Sequence, residues 1–308
     1  MIDESTGAVA GTTAAPPSAG RQAADAARAK ELEAAWGARV RANREQADRV
    51  REGPAGPDFY APVTGMFRAD PRRTGDPDLE AVLDLAHPGE RWLDVGAGAG
   101  RFALPLALVV REVVALDPSP GMRAALAEEI AVHRIGNVVQ VAAAWPPSDP
   151  GLAESVRSDV VLLANLGYDI EAIGPFLDAL EAAARAGCVA VLGEASPVKA
   201  AHPFWPLVHG EERVPLPALP DFLDLLAARG RRVELRMVER LTRPYPAREA
   251  IVTWLRNQLF VGAGSAADDR LLTALEGRVT EDAGGFRFVS SGQGRVGIVR
   301  WVPPGGEP

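Results

Sequence analysis

The sequence predicts an α/β fold in which a mostly parallel β-sheet is crossed over by helices. Two observations predict it: short apolar runs recur from residue 91 onward, and stretches with helical periodicity separate them. The chain has 308 residues, of which 47% are hydrophobic, so it is long and apolar enough to bury a substantial core.

The N-terminal part of the chain divides into two predicted segments before the sheet begins. Residues 1–20 are small and rich in Pro and Thr, which predicts a disordered tail. Residues 21–75 are predicted to form a helical extension, because 21–52 are mostly strong helix formers and Gly53, Pro54, Gly56 and Pro57 then interrupt the pattern. This extension is interpreted either as a solvated helix packed on the domain or as a cap over a ligand.

The main domain is predicted to span residues 76–308, with strands and helices alternating in order. The predicted strands are "ERWLDV", "EVVALD", "NVVQVA", "SDVVLLAN" and "CVAVLGE". The predicted helices lie near 101–109, 119–132 and 151–157 and in "IGPFLDALEAAARAG". Nearly continuous apolar runs such as "SDVVLLAN" are typical of strands buried on both faces of a parallel sheet.

A glycine turn follows the first strand in "RWLDVGAGAGRF", residues 91–102. Gly96, Gly98 and Gly100 allow a sharp turn and a close approach of the backbone to a ligand, and the next helix offers unpaired N–H groups. The second strand ends at Asp117, where a carboxylate can accept hydrogen bonds from both hydroxyls of a ribose. The pattern predicts a ligand that contains a ribose.

Two cofactors fit this arrangement. Gly98, Gly100 and Ala103 satisfy the G-x-G-x-x-A pattern of dinucleotide-binding proteins, and Asp117 lies near the expected distance. Asp94 favours S-adenosylmethionine, because a carboxylate facing the pocket would repel a pyrophosphate and attract the amino group of a methionine moiety.

Residues 91–197 resemble the core of the class I S-adenosylmethionine-dependent methyltransferases. "LDVGAGAGRFALPLA" is similar to the first motif of that family, "VVALDPSPGM" to the second and "DVVLLANLGYD" to the fourth. The resemblance implies a Rossmann-like sheet of seven mostly parallel strands, S-adenosyl-L-methionine as cofactor, and methyl transfer as the activity. The cofactor-binding residues that it implies are Asp94, Gly96, Ala97, Gly98, Gly100, Asp117, Pro118, Met122, Ala143, Ala144, Trp145, Asn165 and Leu166.

One segment departs from the family. After its third strand the family often has an acid that binds the adenine amino group, whereas this chain has "VAAAWPP". Ala143 and Ala144 can offer only backbone contacts there. Trp145 is interpreted as a core or rim aromatic or, alternatively, as a residue that stacks on the base.

The family closes its sheet with an antiparallel hairpin, and the end of this chain fits that pattern. "LPDFLDLLAARG" suits a helix, "RRVELRMVER" the sixth strand and "GRVGIVRWV" the seventh. Residues 243–291 are predicted to be a mostly helical insertion between strands six and seven, serving either the acceptor pocket or packing.

Methyl transfer is an in-line displacement, so a base is needed only where the acceptor loses a proton. His209 leads "HGEER", and it and Tyr168 are the predicted catalytic residues. The alternatives are a surface loop of mutually screened charges for "HGEER" and a loop anchor for Tyr168. His87 and His133 are assigned to structure, and His202 flanks the same "PFWPLV" run as His209.

The amino-acid composition indicates which classes of binding partner the protein has. The net charge is −8 and the isoelectric point is near 5.2, which disfavours nucleic acid and membrane surfaces and favours a small-molecule acceptor. No metal site is predicted, and the single cysteine, Cys188, is expected to be buried in a cytoplasmic protein. A homodimer through the N-terminal helices is possible. An NAD-dependent oxidoreductase and a catalytically silent cofactor-binding module remain as alternative functions.

Overall fold

The computed structural model describes residues 19–53, 64–65, 67–240, 244–282, 284–289 and 294–305. A seven-stranded sheet in the order β3-β2-β1-β4-β5-β9-β6 forms its centre. Its strands are β1 (Arg91–Val95), β2 (Glu112–Leu116), β3 (Val138–Val141), β4 (Ser158–Ala164), β5 (Ala184–Gly193), β6 (Val233–Arg240) and β9 (Gly294–Trp301).

Strands β1 to β5 pair in parallel, and β9 is antiparallel to both of its neighbours, β5 and β6. This confirms the predicted Rossmann-like sheet with its antiparallel closing pair. All parallel strands point their carboxyl ends to one edge, and the turns after β1, β2, β4 and β5 therefore meet there.

Helices cover both faces of the sheet. They are α1 (Ala19–Val50), α2 (Pro77–Leu83), α3 (Ala103–Ala107), α4 (Pro120–His133), α5 (Pro150–Ser155), α6 (Ile173–Ala183), α7 (Trp205–His209), α8 (Leu219–Ala228), α9 (Arg248–Leu259) and α10 (Ala266–Ala274), with a 3-10 helix at Pro197–Phe204. One face packs against α6 and α8, and the other against α2 and α3. The core is thus a three-layer α/β/α arrangement.

The N-terminal extension is one long helix. α1 packs against α6 and α8, and it buries Trp36 and Val40 in the core on that face of the sheet. The interpretation of a helix packed on the domain accounts for these contacts. Residues 1–18, in the predicted tail, and Pro54, Gly56 and Pro57, in the predicted break, lie outside the described residues.

The insertion contains more than helices. Besides α9 and α10 it holds a small antiparallel pair, β7 (Val279–Asp282) and β8 (Gly285–Phe288), which the sequence analysis did not predict. These elements share a separate hydrophobic cluster with α7 and the 3-10 helix. The insertion therefore packs beside the segment that follows β5.

The start of β5 also differs from the prediction. Residues 184–187 were expected to end helix α6, whereas the structure places them in β5. Ser158 of β4 pairs with Ala184, and a register shift lies between Ser158 and Val160. Ala184, Arg185 and Ala186 favour a helix by intrinsic propensity, and pairing with β4 overrides that preference.

Candidate cofactor and acceptor site

The glycine turn after β1 adopts the conformation that its sequence predicts. The N–H groups of Gly96 and Ala97 both donate to the Leu116 carbonyl, at 2.8 and 3.1 Å. Gly96, Gly98 and Gly100 have φ values of 72°, 55° and 89°, a region that side-chain-bearing residues rarely adopt. The turn is therefore fixed at the carboxyl edge between β1 and β2.

Two of these glycines also permit close packing. A Cβ on Gly96 would lie 2.8 Å from Leu166 Cδ2, and one on Gly100 would lie 2.6 Å from Leu126 Cδ1. A Cβ on Gly98 would meet only Met122 Sδ, at 3.9 Å. Gly96 thus brings the residues after β4 against the glycine turn, as the resemblance requires.

Asp117 joins the end of β2 to this turn. Its Oδ2 accepts from the Gly98 N–H at 2.8 Å, and its Oδ1 accepts from the Ser119 N–H at 2.8 Å. Pro118 is exposed, while Ser119 caps α4 by accepting from the Met122 N–H at 3.1 Å. These bonds hold the Asp117 carboxylate at the place predicted for the ribose, and the ribose contact itself stays a prediction.

Asp94 does not present its carboxylate openly to the edge. The side chain is buried, and the backbone N–H of Ala103, at the start of α3, donates to it. Burial, together with the charge of Asp117, raises the pKa of Asp94 to about 7. Asp94 thus links β1 to α3, and its predicted contact with an amino group stays a prediction.

Asn165 supplies an unused acceptor at the end of β4. Its backbone is left-handed, with φ of 56°, and its N–H donates to the Val191 carbonyl at 2.9 Å. Its side-chain Oδ1 is buried and has no hydrogen-bond partner in the described part of the chain. A buried acceptor without a donor costs free energy, so a ligand N–H group would be stabilised there.

The residues present fit S-adenosylmethionine. The glycine turn leaves room for close backbone approach, Asp117 lies where a ribose is expected, and Asn165 offers a buried acceptor to an amino group. Leu166 lies against Gly96 between these groups.

Among the residues predicted to lie near the adenine, Ala143 is partly buried and Ala144 is exposed. The Trp145 indole N–H donates to the Phe176 carbonyl at 3.4 Å, and the ring packs against the core cluster of α6. This is the position of a core or rim aromatic, one of the two interpretations of Trp145.

Tyr168 serves as an anchor in this structure. Its hydroxyl is buried and accepts from the Gly193 N–H at 2.7 Å, which ties the loop after β4 to the end of β5. Burial raises the pKa of Tyr168, so the hydroxyl stays protonated at neutral pH. The geometry supports the loop-anchor alternative over the predicted catalytic role.

The His209 side chain contacts α9 and Trp205. Its Nε2 lies 2.9 Å from the Leu259 carbonyl, and its ring packs on Trp205 at 4.5 Å between centroids. The rest of "HGEER" binds α1: Glu211 pairs with Arg49 at 3.2 Å, and Arg213 bonds to Asn43. The structure gives His209 a packing role between α7 and α9 and does not support the predicted catalytic one.

A cavity of about 230 Å³ lies beyond the end of β5. It is partly open to solvent and lies between the 3-10 helix, the start of α8 and one side of α1. Its lining includes Arg39, Glu194, Lys199, His202, Leu216 and Asp221. His202 and His209 flank the same "PFWPLV" run, and the cluster of charges beside His209 favoured the latter as the predicted catalytic residue. The two histidines differ in their hydrogen bonds: His209 contacts Leu259, 50 residues away in the sequence, whereas His202 Nε2 has no partner among the described residues.

A buried ionic cluster, which the sequence did not predict, lies at the end of the glycine turn. Arg101, which directly follows Gly100, donates to Asp78 at 2.7 Å and to Asp76 at 3.1 Å. Both carboxylates are buried, and burial raises the pKa of Asp78. Because the aspartates lie 23 to 25 residues from Arg101, no local pattern indicates the cluster.

Three further predictions concern the single cysteine, metal binding and the membrane. Cys188 is buried in β5, and burial raises the pKa of its thiol. Within the ranges that the structure describes, no group of three His, Cys, Asp or Glu side chains could hold a metal ion. No helix among the described residues is both long and apolar enough to cross a membrane.

Comparisons with known proteins agree with the fold. The chain is similar to the YcgJ protein of Bacillus subtilis, with a TM-score of 0.50 and 16% identity over 75% of this chain and 99% of that chain. It is also similar to a precorrin-6y C5,15-methyltransferase from Geobacter metallireducens, with a TM-score of 0.45 and 14% identity over 77% of this chain and 94% of that chain. A third similar structure is the magnesium protoporphyrin IX methyltransferase of Synechocystis, with a TM-score of 0.42 and 18% identity over 63% of this chain and 85% of that chain. Comparison with curated proteins gave no match.

The family model described as a methyltransferase domain matches residues 93–182. That range runs from β1 to the end of α6 and contains the glycine turn, Asp117 and Asn165. Residues 93–182 are therefore similar to a methyltransferase domain, and the likeness to the YcgJ structure supports the fold.

Proposed function

We propose that this protein is an S-adenosylmethionine-dependent methyltransferase that acts on a small-molecule acceptor. One observation carries the proposal: the segment matched by the methyltransferase family model contains the main residues with which the carboxyl edge could hold the cofactor. These residues are Gly96, Gly98, Asp117 and Asn165.

The bound cofactor would supply a methyl group on a positively charged sulfur. The task of the chain is to position the acceptor, because in-line displacement depends on near-attack geometry. Asp117 orients the ribose, Asn165 Oδ1 accepts from the amino group, and the backbone of the glycine turn faces the methionine side. Leu166 keeps water away from the turn.

The sheet topology favours methyl transfer over the oxidoreductase alternative. Dinucleotide-binding sheets place a parallel sixth strand beside the fifth. Here the antiparallel β9 lies between β5 and β6. The lack of an adenine-binding acid in "VAAAWPP" is the feature that keeps the silent binding module as an alternative.

Charge and cavity size support a small acceptor. The chain carries a net charge of −8, which disfavours a phosphate backbone as partner. The cavity beyond β5, at about 230 Å³, is smaller than the ligand pockets that hold drug-sized molecules.

Calorimetric titration tests the cofactor part of this proposal. We expect S-adenosylhomocysteine to bind the wild type and NAD⁺ to give no heat. Asp117→Ala and the isosteric Asp117→Asn should weaken S-adenosylhomocysteine binding about 100-fold, because two charge-assisted hydrogen bonds are lost. The exposed Asp224→Ala, on α8, is the matched control. Unchanged affinity in both Asp117 variants, or binding of NAD⁺ in preference, would reject the assignment.

A further inference from the structure

The cavity beyond β5 lies beside the cofactor edge. Its wall begins at Glu194, the residue after β5, and β5 is the direct neighbour of β4, which ends next to Asn165. The bond between the Tyr168 hydroxyl and the Gly193 N–H fixes the two strand ends to each other. A molecule in the cavity would therefore lie one strand away from the methionine side of the cofactor.

His202 is one of the residues that line this cavity. Its Nε2 is buried and has no hydrogen-bond partner in the part of the chain that the structure describes. Burial lowers the pKa of His202, and the positive charges of Arg213, from the loop after α7, and Lys199, from the same 3-10 helix, lower it further. The imidazole is therefore neutral at pH 7 and able to accept a proton.

The charged residues that line the cavity are Arg39, Lys199, Glu194 and Asp221, and their formal charges cancel. Arg39 pairs with Asp221 at 2.6 Å, and Glu194 pairs with Arg295 at 3.5 Å. Lys199 is exposed and has no ion pair within the described residues. Lys199 is thus the charged lining residue that lacks an ion pair among the described residues, and it favours an anionic group on the molecule that enters.

From these observations we infer that the cavity is the acceptor site and that it takes a small hydroxy-carboxylate of about one ring. The hydroxyl donates to His202 Nε2, and the carboxylate lies toward Lys199. The inference rests on the proposed methyltransferase function and adds the acceptor class and the base to it.

The proton and electron balance of the reaction is simple. The hydroxyl oxygen forms the new bond to the methyl carbon, and the electron pair of the broken carbon–sulfur bond stays on sulfur. The hydroxyl proton passes to His202 Nε2, which later releases it to water. Because only the neutral imidazole accepts the proton, turnover is lost as the pH falls through the lowered pKa of His202.

Binding experiments test the site without relying on turnover. The probe is 4-hydroxybenzoate, titrated by calorimetry into the protein saturated with S-adenosylhomocysteine. We expect His202→Gln to weaken its binding about tenfold and Lys199→Met by a similar factor, the loss of one interaction each. His87→Gln, in the loop before β1, is the matched control and should bind as the wild type does.

The nuclear magnetic resonance signal of His202 gives a second readout. Its titration should show a pKa below the ordinary histidine value, and 4-hydroxybenzoate should shift the signal. Turnover of the probe, where measured, should fall at least 100-fold in His202→Gln.

The outcomes separate the two proposals. If S-adenosylhomocysteine fails to bind the wild type, the proposed function fails. If S-adenosylhomocysteine binds normally but 4-hydroxybenzoate does not bind, or binds His202→Gln and wild type equally, the acceptor inference alone is overturned.

Discussion

The cofactor side of the carboxyl edge and the segment after β5 differ in how their polar groups are held. Asp94, Asp117 and Tyr168 each accept hydrogen bonds from backbone N–H groups. In the segment after β5, His202 Nε2 has no hydrogen-bond partner and Lys199 has no ion pair among the described residues. Asn165 Oδ1 is the exception on the cofactor side.

This difference indicates a division of labour. On the cofactor side, loops and strand ends are fixed before any ligand arrives, which lowers the entropy cost of binding. Beyond β5, unsatisfied groups are kept for a ligand at some cost to stability. Changes on the first side should therefore destabilise the fold, whereas changes on the second should mainly affect binding.

The largest loss of stability is expected for Gly100→Ala. The left-handed φ of 89° would be strained by a Cβ, and that Cβ would lie 2.6 Å from Leu126 and 2.8 Å from Leu104. Strain and overpacking together should lower the free energy of unfolding by about 4 kcal/mol. Denaturant unfolding measures it. Gly89→Ala, whose Cβ would meet nothing within 4 Å, should cost little; an equal loss in both variants would contradict the packing argument.

Asp94 should make stability depend on pH. Its folded pKa of about 7 lies above the ordinary 3.8, so between these values the folded state binds more protons than the unfolded state. The contribution of Asp94 to stability is therefore fully present below the ordinary pKa and is lost as the pH rises through the folded pKa of about 7. Between pH 5 and pH 8 the wild type should lose about 3 kcal/mol relative to Asp94→Asn. Parallel pH profiles of the two proteins would show that the raised pKa is wrong.

The cofactor side was also the more predictable region. The glycine turn and the end of β2 are encoded locally, because the glycines and Asp117 lie within one strand-helix-strand unit. The mostly parallel sheet and its antiparallel closing pair followed from the family resemblance, whereas the order of the strands was not predicted. The direction of the Asp94 side chain could not be predicted from the local sequence. Its hydrogen-bond donor is the backbone N–H of Ala103, whose position depends on where α3 starts.

Beyond β5 the sequence was a poor guide. His209 stood beside clustered charges, but its partner Leu259 lies 50 residues away, and Arg213 is bound by α1 at a separation of 170 residues. The β7–β8 pair was not predicted, because "VTED" and "GFRF" show little of the alternation between apolar and polar residues that is typical of a strand. Tyr245, which lies outside both strands, forms a β-bridge with Phe286. Such long-range contacts leave no periodic signal in the chain.

Tyr168→Phe tests the anchoring of the cofactor side with a smaller expected effect. Removing the hydroxyl leaves the Gly193 N–H without its acceptor, which should cost about 2 kcal/mol. Tyr245→Phe is the matched control, because no hydrogen bond to its hydroxyl is present in the described residues. Thermal and denaturant unfolding should separate the two variants, and similar stabilities would remove Tyr168 from the anchoring role.

The smallest expected effect is on the other side of the comparison, in His202→Leu. Leucine fills a similar volume and removes the buried Nε2 that lacks a partner, so the free energy of unfolding should stay within about 0.5 kcal/mol of the wild type or rise. The same variant should lose 4-hydroxybenzoate binding while it keeps S-adenosylhomocysteine binding. A stability loss as large as that of Tyr168→Phe would mean that His202 supports the fold, and the two sides of the edge would then not differ in the way described. If stability is unchanged and probe binding is lost, the buried nitrogen is held for a ligand.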